Sequence, residues 1–263
     1  MSSTHAPLAA RWLKATPSLR ENALRVAYLR SELERHPLPD LALALNELCG
    51  LAEQADPRAR EVLAAAVPVL ADPRVIEQIA ALRLIAVEDA LLPLGRLLRF
   101  HGEEPGPEAA IDKRQIATSS NGRTLTLGER RALARRPSRA AIDKLLRDPH
   151  PWVIKNLLMN PRLTEDDVLR LATRRPANKD VIVEIARHPE WPARPRVRMA
   201  LVQNPGSPAA VSVPLVRLLI RPELLQVVSA TDLPIDVRAA AGEMLERRPP
   251  VPERAPGERG DPQ

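Results

Sequence analysis

A nine-residue phrase recurs in the second half of the chain and constrains its fold more than any other feature. Residues 153–161 read VIKNLLMNP, residues 197–205 read VRMALVQNP, and a partial copy begins at Val237. Each copy has the apolar spacing of a short helix. A phrase that returns at intervals of one helical hairpin, or slightly more, is typical of stacked helical repeats. The sequence therefore predicts an all-α chain that forms an irregular solenoid of short stacked hairpins.

Proline and the near absence of aromatic residues support this prediction. Aromatic residues make up 2% of the chain, whereas β-sheets rely on aromatic and β-branched side chains. Proline ends helices, because it lacks an N–H group and clashes with the preceding turn. Seven prolines follow short apolar segments at spacings of 12 to 17 residues, namely Pro137, Pro149, Pro161, Pro176, Pro189, Pro205 and Pro222. Capping boxes are predicted to open helices at Ser18, Thr126 and Thr164.

Composition divides the chain into four regions. Residues 1–100 have helical patterns throughout, 101–123 form a polar linker or exposed loop, 124–248 form the helical-repeat domain, and 249–263 form a tail predicted to be disordered. No apolar segment is long enough to cross a membrane and no signal peptide is evident, so we expect a cytoplasmic protein without membrane association. The one cysteine, Cys49, lies in an apolar helical segment and is predicted to be a buried core residue.

The positive charge is concentrated in the repeats. The chain carries a formal net charge of +6, while residues 1–100 have 12 basic and 12 acidic side chains, and residues 124–248 have 22 basic and 14 acidic ones. A basic domain is typical of a protein that binds nucleic acid or an acidic partner. Arginine outnumbers lysine 34 to 5 in a chain rich in alanine and proline, so GC-rich coding is a second explanation of the excess.

Short motifs in these regions resemble two related α-solenoid families. The segments beginning at Asp148-Pro149 and at Pro234, with Asp236-Val237-Arg238, resemble the HEAT repeat. The Asn-Pro endings resemble the bacterial leucine-rich repeat variant, which alternates α-helices with shorter helices. The resemblance implies a helical-repeat architecture over residues 124–248. The first characterised type of the variant family carries an iron–sulfur cluster in a cysteine-rich segment. This chain has one cysteine, so no cluster is carried over and no cofactor is expected.

Several polar residues of the repeats have a structural and a functional interpretation. Asn160 and Asn204 stand at helix ends before proline, where an asparagine side chain binds a ligand or, as we favour, satisfies backbone carbonyls that lack a partner. Charged residues at corresponding positions are predicted to form a ladder between stacked repeats, with Asp148 and Asp236 facing Arg198, Arg238 and, at a nearby position, Lys155.

No catalytic or metal-binding constellation is recognisable. The chain lacks the phosphate-binding, zinc-protease and serine-hydrolase motifs. Three of its five histidines, His36, His150 and His188, adjoin proline at helix junctions, where solvation or capping is expected. The segment from His101 to Glu104 contains metal-ligand types, but zinc needs three or four ligands held in fixed geometry. We predict no metal site, and an enzyme built on these repeats has no motif to support it.

Arginines at the helix ends and two tryptophans are the candidate partner-binding residues, namely Arg136, Arg139, Arg175, Arg194, Arg198, Trp152 and Trp191. The leading hypothesis is a non-enzymatic scaffold that binds an acidic protein, which predicts an exposed apolar groove with a basic rim.

The alternative is a nucleic-acid-binding solenoid, a class that includes HEAT-like DNA glycosylases. It predicts that Arg136, Arg139, Arg175 and Arg198 share one exposed face. An exposed tryptophan stacks on bases, whereas a tryptophan at a repeat corner is more often a packing wedge.

Overall fold

A computed structural model describes residues 6–100, 116–119 and 121–248. The described residues form α-helices and one 3₁₀ turn, and their β-structure is limited to an isolated bridge between Thr118 and Thr124. The predicted all-α class is therefore confirmed. The N-terminal helices are α1 (Ala6–Ser18), α2 (Asn22–Arg35), α3 (Leu38–Glu53), α4 (Pro57–Leu70), α5 (Ile76–Glu88) and α6 (Leu92–Leu98), with a 3₁₀ turn at Pro73–Val75. The later helices are α7 (Leu127–Ala134), α8 (Arg139–Leu145), α9 (Pro151–Leu158), α10 (Glu165–Ala172), α11 (Lys179–Arg187), α12 (Pro195–Val202), α13 (Ala209–Val216), α14 (Arg221–Ser229) and α15 (Ile235–Arg247).

Most of the predicted helix starts are found. The capping boxes at Thr126 and Thr164 are confirmed, with each hydroxyl accepting from the amide three residues later. The capping box predicted at Ser18 is wrong. Ser18 is the last residue of α1, where its hydroxyl donates to the carbonyl of Ala15, and α2 begins only at Asn22. A serine can satisfy a carbonyl of the preceding turn as readily as it caps a following helix, and the sequence pattern does not separate the two.

α3 and α4 occupy the centre of the N-terminal helices. α3 packs against α1, α4, α5 and α6, while α4 packs against α1, α2 and α3. Leu41, Leu45 and Leu48 lie on one side of α3 and are buried. Cys49 lies beside them without exposure, and burial raises the pKa of its thiol to about 12. This environment keeps the thiol protonated at neutral pH, as expected of a core residue.

Several C-terminal helices pack against the second helix along the chain as well as against the next one. Contacts run from α7 to α9, from α9 to α11, from α11 to α13 and from α13 to α15, while α10 packs against α12. Alternate helices are therefore neighbours in space. In α9 the residues Val153, Ile154, Leu157 and Leu158 are buried, which places the recurring phrase in the core.

Asparagines join the corners of successive hairpins. Asn160 follows α9, and its amide nitrogen donates to the carbonyls of Ala134 (2.7 Å) and Arg136 (2.8 Å) at the end of α7. Asn204 follows α12 and donates in the same way to Ala172 (2.7 Å) and Arg174 (3.1 Å) at the end of α10. The carbonyls that these residues satisfy thus belong to the preceding hairpin, not to the helix that each asparagine ends.

The N-terminal helices are packed against the repeats. α4 contacts α11 and α13, and α6 contacts α13. At this junction the carboxylate of Glu53 accepts from Arg96 of α6 (2.8 and 2.5 Å) and from Arg217, which follows α13 (2.7 Å). We call these three residues the Glu53 cluster. The Arg217 side chain is 2% exposed, so the cluster is a buried ionic contact between the two halves.

A short hairpin precedes α7. The amide of Leu125 donates to Ala117 (2.9 Å) and the amide of Ser119 donates to Arg123 (2.7 Å). Ala117 is buried, so this part of the predicted linker reaches the core. The rest of that linker, including His101–Glu104, and the predicted disordered tail at 249–263 lie outside the described residues.

Candidate functional site

The charged ladder predicted between repeats is not formed within the described residues. Asp148 is buried and makes its ion pair with Arg130 of α7 (2.6 and 2.7 Å), while also accepting from the amide of His150 (3.0 Å). Asp148 is therefore fixed at its own corner. Asp236 lies exposed in the first turn of α15, where the helix dipole favours a carboxylate without any arginine partner.

The ladder's basic residues are also placed differently from the prediction. Arg238 is partly buried and its Nε has no partner, whereas Lys155 is exposed on α9. Arg198 is turned into a cavity between α12 and the N-terminal helices instead of facing another repeat. The similar sequence positions of these residues do not give them similar surroundings, because the hairpins differ in length and in what covers them.

Most of the predicted partner-binding arginines are already engaged within the chain. Arg139 bridges Asp143 and Asp167, and Arg175 pairs with Asp232 (3.0 Å). Arg194 pairs with Glu165 (3.1 Å). An arginine that is already paired with a carboxylate offers little charge to a phosphate. Since Arg198 lines an interior cavity, Arg136 is the one of these four predicted stripe residues that is exposed without an ion pair to a described residue, which counts against a stripe of free arginines formed by Arg136, Arg139, Arg175 and Arg198.

The two tryptophans have opposite environments. Trp191 is 6% exposed, its Nε1 donates to the carbonyl of Leu158 (3.2 Å), and the guanidinium of Arg194 lies 4.8 Å from its ring centroid. It is a packing wedge between α9 and the start of α12. Trp152 is 55% exposed at the start of α9, and its ring centroid lies 5.5 Å from the guanidinium of Arg131 and 5.6 Å from the centroid of the His150 ring. A large exposed aromatic ring is typical of binding surfaces.

Trp152 belongs to a continuous outer face of α9. Lys155 and Met159 follow it at helical spacing, and both are exposed, with Met159 at 67%. We call Arg131, Trp152, Lys155 and Met159 the α9 surface. The sequence identified Trp152 but not Met159. A signal for Met159 was present in the sequence. Once the apolar spacing assigns one face of α9 to the core, the remaining positions of the helix must lie on its exposed face.

The α9 surface continues into a cleft of about 200 Å³, which we call the α9 cleft. Lys155 and Met159 form one wall, and α11 and the N-terminal helices form the others. Its charged lining comprises Arg30, Asp72, Arg74, Lys155, Glu184 and Arg187, which is four cations and two carboxylates. The two carboxylates are internally neutralised, since Arg187 pairs with Glu184 (2.7 Å) and Asp72 is bonded by Arg30 and Arg74.

Asp72 is held ionised by this arrangement. The Arg74 guanidinium donates to it, and the backbone amide of the same residue adds another bond, so the pKa of Asp72 falls to about 2 despite its burial. Above pH 4 it therefore stays charged and keeps Arg30 and Arg74 in place at the cleft. The cleft thus combines the fixed ion pairs of Asp72 with the flexible apolar side chain of Met159.

Histidines cap backbone amides at two corners, as expected from their positions beside proline. The Nδ1 atom of His150 accepts from the amide of Trp152 (3.2 Å), and that of His188 accepts from the amide of Glu190 (3.1 Å). Burial lowers the pKa of His188 to about 4 and also lowers the pKa of His150. Neutral imidazole is the form that can accept these bonds, so the geometry and the pKa direction agree.

Comparison with known proteins adds no relative: no family matches the chain, and no curated protein or solved structure matches it. Within the described residues, no helix is both long and apolar enough to span a membrane. The same residues contain no group of three or more side chains placed to hold a metal ion.

Proposed function

We propose that the chain is a helical-repeat scaffold that binds an acidic segment of a partner protein along the α9 surface and the α9 cleft. The carrying observation is the exposed row formed by Trp152, Lys155 and Met159, which runs into a cleft with a positive balance of charge. The regular contacts between alternate helices support a HEAT-like or leucine-rich-repeat-variant-like solenoid. Such solenoids present extended surfaces on which segments dock.

The magnitude of apolar burial favours Trp152 as the anchor. Covering the exposed half of a tryptophan removes on the order of 100 Å² of apolar surface from water, which is worth up to about 3 kcal/mol. Met159, about two helical turns from Trp152, adds an adaptable apolar contact. Lys155 and Arg131 flank these residues and would attract carboxylates at the rim.

Nucleic-acid binding is the alternative, and one observation supports it. The guanidinium of Arg131 lies over the exposed ring of Trp152, a combination that can stack on a base and contact a phosphate. The pairing of Arg139, Arg175 and Arg194 with carboxylates argues against a long phosphate-tracking stripe. A few stacked contacts bind single strands, whereas salt-steep binding of duplex DNA needs many free cations.

Selection of a displayed random-peptide library on the immobilised full chain tests the proposal. We expect enriched peptides with several carboxylates beside an aromatic or large aliphatic residue. Trp152→Ala should weaken the binding of such a peptide about 10- to 100-fold, because a central aromatic anchor is lost. Leu84→Ala removes a comparably exposed apolar side chain (64%) on α5 and is the matched control, with affinity unchanged.

The competing outcomes are distinct. Enrichment of basic peptides, or equal affinity of the Trp152→Ala variant, would refute the proposed surface. Anisotropy of labelled duplex DNA and single-stranded RNA at about 50 and 200 mM salt measures the alternative. Tight binding of the single-stranded RNA, or binding of the duplex that falls on the order of a thousand-fold across this range, would establish the nucleic-acid hypothesis instead.

A further inference from the structure

A second cavity, of about 340 Å³, lies where the N-terminal helices meet the repeats. We call it the interhalf cavity. α2 and α4 supply one side, and the α11–α12 connection, α12 and the α13–α14 connection supply the other. Its lining residues are Asn22, Arg25, Pro57, Arg60, Glu61, Ala64, Ala65, Pro189, Ala193, Arg198 and Leu218. Its volume falls in the range of small-molecule sites, and its walls are mainly alanine, proline and leucine around three guanidinium groups.

Two of these guanidinium groups lack a compensating carboxylate. Arg25 pairs with Glu61 (3.1 Å), so these two lining charges cancel. Arg60 donates only to the backbone carbonyl of Leu218, and its Nε is buried without a partner. Arg198 makes no ion pair or side-chain hydrogen bond with a described residue, and its Nε is also buried.

A carboxylate outside the cavity lining acts on both guanidinium groups without neutralising them. Glu223 acts electrostatically on both Arg60 and Arg198, but it forms no ion pair with either. Its carboxylate instead accepts from the amide of Ile220 (2.9 Å) at the start of α14. The cavity therefore holds two positive charges without a counter-charge in contact.

This arrangement is costly for an empty cavity. Arginine cannot release its proton at physiological pH, so it must remain charged wherever it is placed. Burial lowers the pKa of both Arg60 and Arg198, which is the direction expected when a charge is desolvated without compensation. Both side chains are partly buried, and charges withdrawn from water are ordinarily paired, whereas no described carboxylate forms an ion pair with either guanidinium.

We propose that the interhalf cavity binds a small phosphate monoester, with its phosphate between Arg60 and Arg198 and its organic part against the apolar wall. The charge of such a phosphate at pH 7, about −1.5 to −2, matches two guanidinium groups. Guanidinium forks also fit phosphate oxygens in a bidentate manner. Pro57, Ala64 and Pro189 provide the apolar surface for a group of a few carbon atoms.

A ligand here would join the two halves of the molecule. Arg60 belongs to α4 and Arg198 to α12, so a shared phosphate replaces their mutual repulsion with a bridge. The site is separate from the α9 surface and does not depend on the scaffold function proposed above. Binding should therefore stabilise the folded chain by ordinary linkage.

Thermal unfolding and titration calorimetry of the full chain, in a buffer free of phosphate, test this site. The probes are phenyl phosphate and glycerol phosphate, with benzoate and inorganic sulfate as comparison anions. At a hundred-fold excess over Kd we expect a phosphate ester to raise Tm by about 5–10 °C. Absence of saturable binding by either ester up to about 10 mM overturns the proposal, and an equal shift with benzoate overturns its assignment to phosphate.

Variants identify the residues. Arg198→Met should abolish the phosphate-dependent shift while leaving the Tm of the free protein unchanged or higher, since an uncompensated buried charge is removed. Arg196→Met removes an exposed arginine from the same helix and should retain the full shift. Arg60→Gln is the second test of the site, with affinity at least ten-fold weaker. A full shift in both Arg198→Met and Arg60→Gln would refute the placement.

Discussion

The Glu53 cluster offers the sharpest test of how the two halves are held together. Replacing Glu53 with glutamine keeps the shape of the side chain but removes its charge. Arg96 is 14% exposed and can regain water, whereas Arg217 is 2% exposed and cannot. The variant therefore leaves the buried Arg217 guanidinium beside a neutral amide oxygen and the sulfur of Met244 (3.3 Å), without a hydrogen-bonded carboxylate to balance its charge.

The cost should approach that of breaking a buried ion pair, about 3–5 kcal/mol. For a chain of this size each kcal/mol shifts Tm by roughly 2–4 °C, so Glu53→Gln should lower Tm by about 6–20 °C. Differential scanning calorimetry and urea unfolding measure both quantities. Asp232→Asn, which removes the carboxylate of the exposed pair with Arg175, is the control and should cost less than about 1 kcal/mol.

A double variant separates loss of the ion pair from general disruption. In the double variant Glu53→Gln, Arg217→Met the unpaired buried charge is gone. Its loss of unfolding free energy should therefore be smaller than the sum of the losses in the two single variants by at least about 1 kcal/mol. Additive costs, or a Glu53→Gln variant within about 0.5 kcal/mol of the parent, would refute the argument that this contact stabilises the junction.

Two further predictions concern the corners of the repeats. Asn160→Ala leaves the carbonyls of Ala134 and Arg136 and the amide of Arg162 without their partner, and should lower the free energy of unfolding by about 2–4 kcal/mol in urea titrations; a cost below 1 kcal/mol would contradict the role assigned to it. His188 has a folded pKa of about 4 against an ordinary value of 6.5. The unfolded chain takes up this proton first as the pH falls, so His188 should contribute a decline of roughly 1–2 kcal/mol in stability between pH 6.5 and 4, after allowing for partial solvent screening, and the total decline should be smaller by that amount in His188→Gln.

The sequence predicted where helices begin better than it predicted what surrounds each side chain. The capping boxes at Thr126 and Thr164 depend on four consecutive residues, so a local pattern is sufficient to recognise them. The burial of Cys49 follows from apolar spacing within one helix. Ser18 shows the limit of such rules, because the same hydroxyl satisfied the helix behind it instead of the helix ahead.

The candidate site required contacts between distant segments. Trp152 and Trp191 lie in similar proline-rich surroundings in the sequence, yet one is exposed and the other is wedged against Leu158. Arg198 was expected on a face shared by the repeats, but the docking of α4 encloses it with Arg60. These differences arise where the N-terminal helices cover part of the repeats, and no periodicity within either half carries that information.

The same reasoning changes the meaning of the basic charge. Several arginines donate to backbone carbonyls elsewhere in the chain: Arg174 to Arg147, Arg175 to Gln203, Arg221 to Leu245 and Arg248 to Arg217. An arginine used in this way contributes to the net charge while joining two segments, because its several donors and long side chain reach carbonyls that a lysine satisfies less well. The net charge therefore overstates the number of cationic side chains that are available to a partner. Cations with little compensation occur together on the α9 surface and in the interhalf cavity, and these local imbalances, more than the total of +6, indicate where anionic groups would bind.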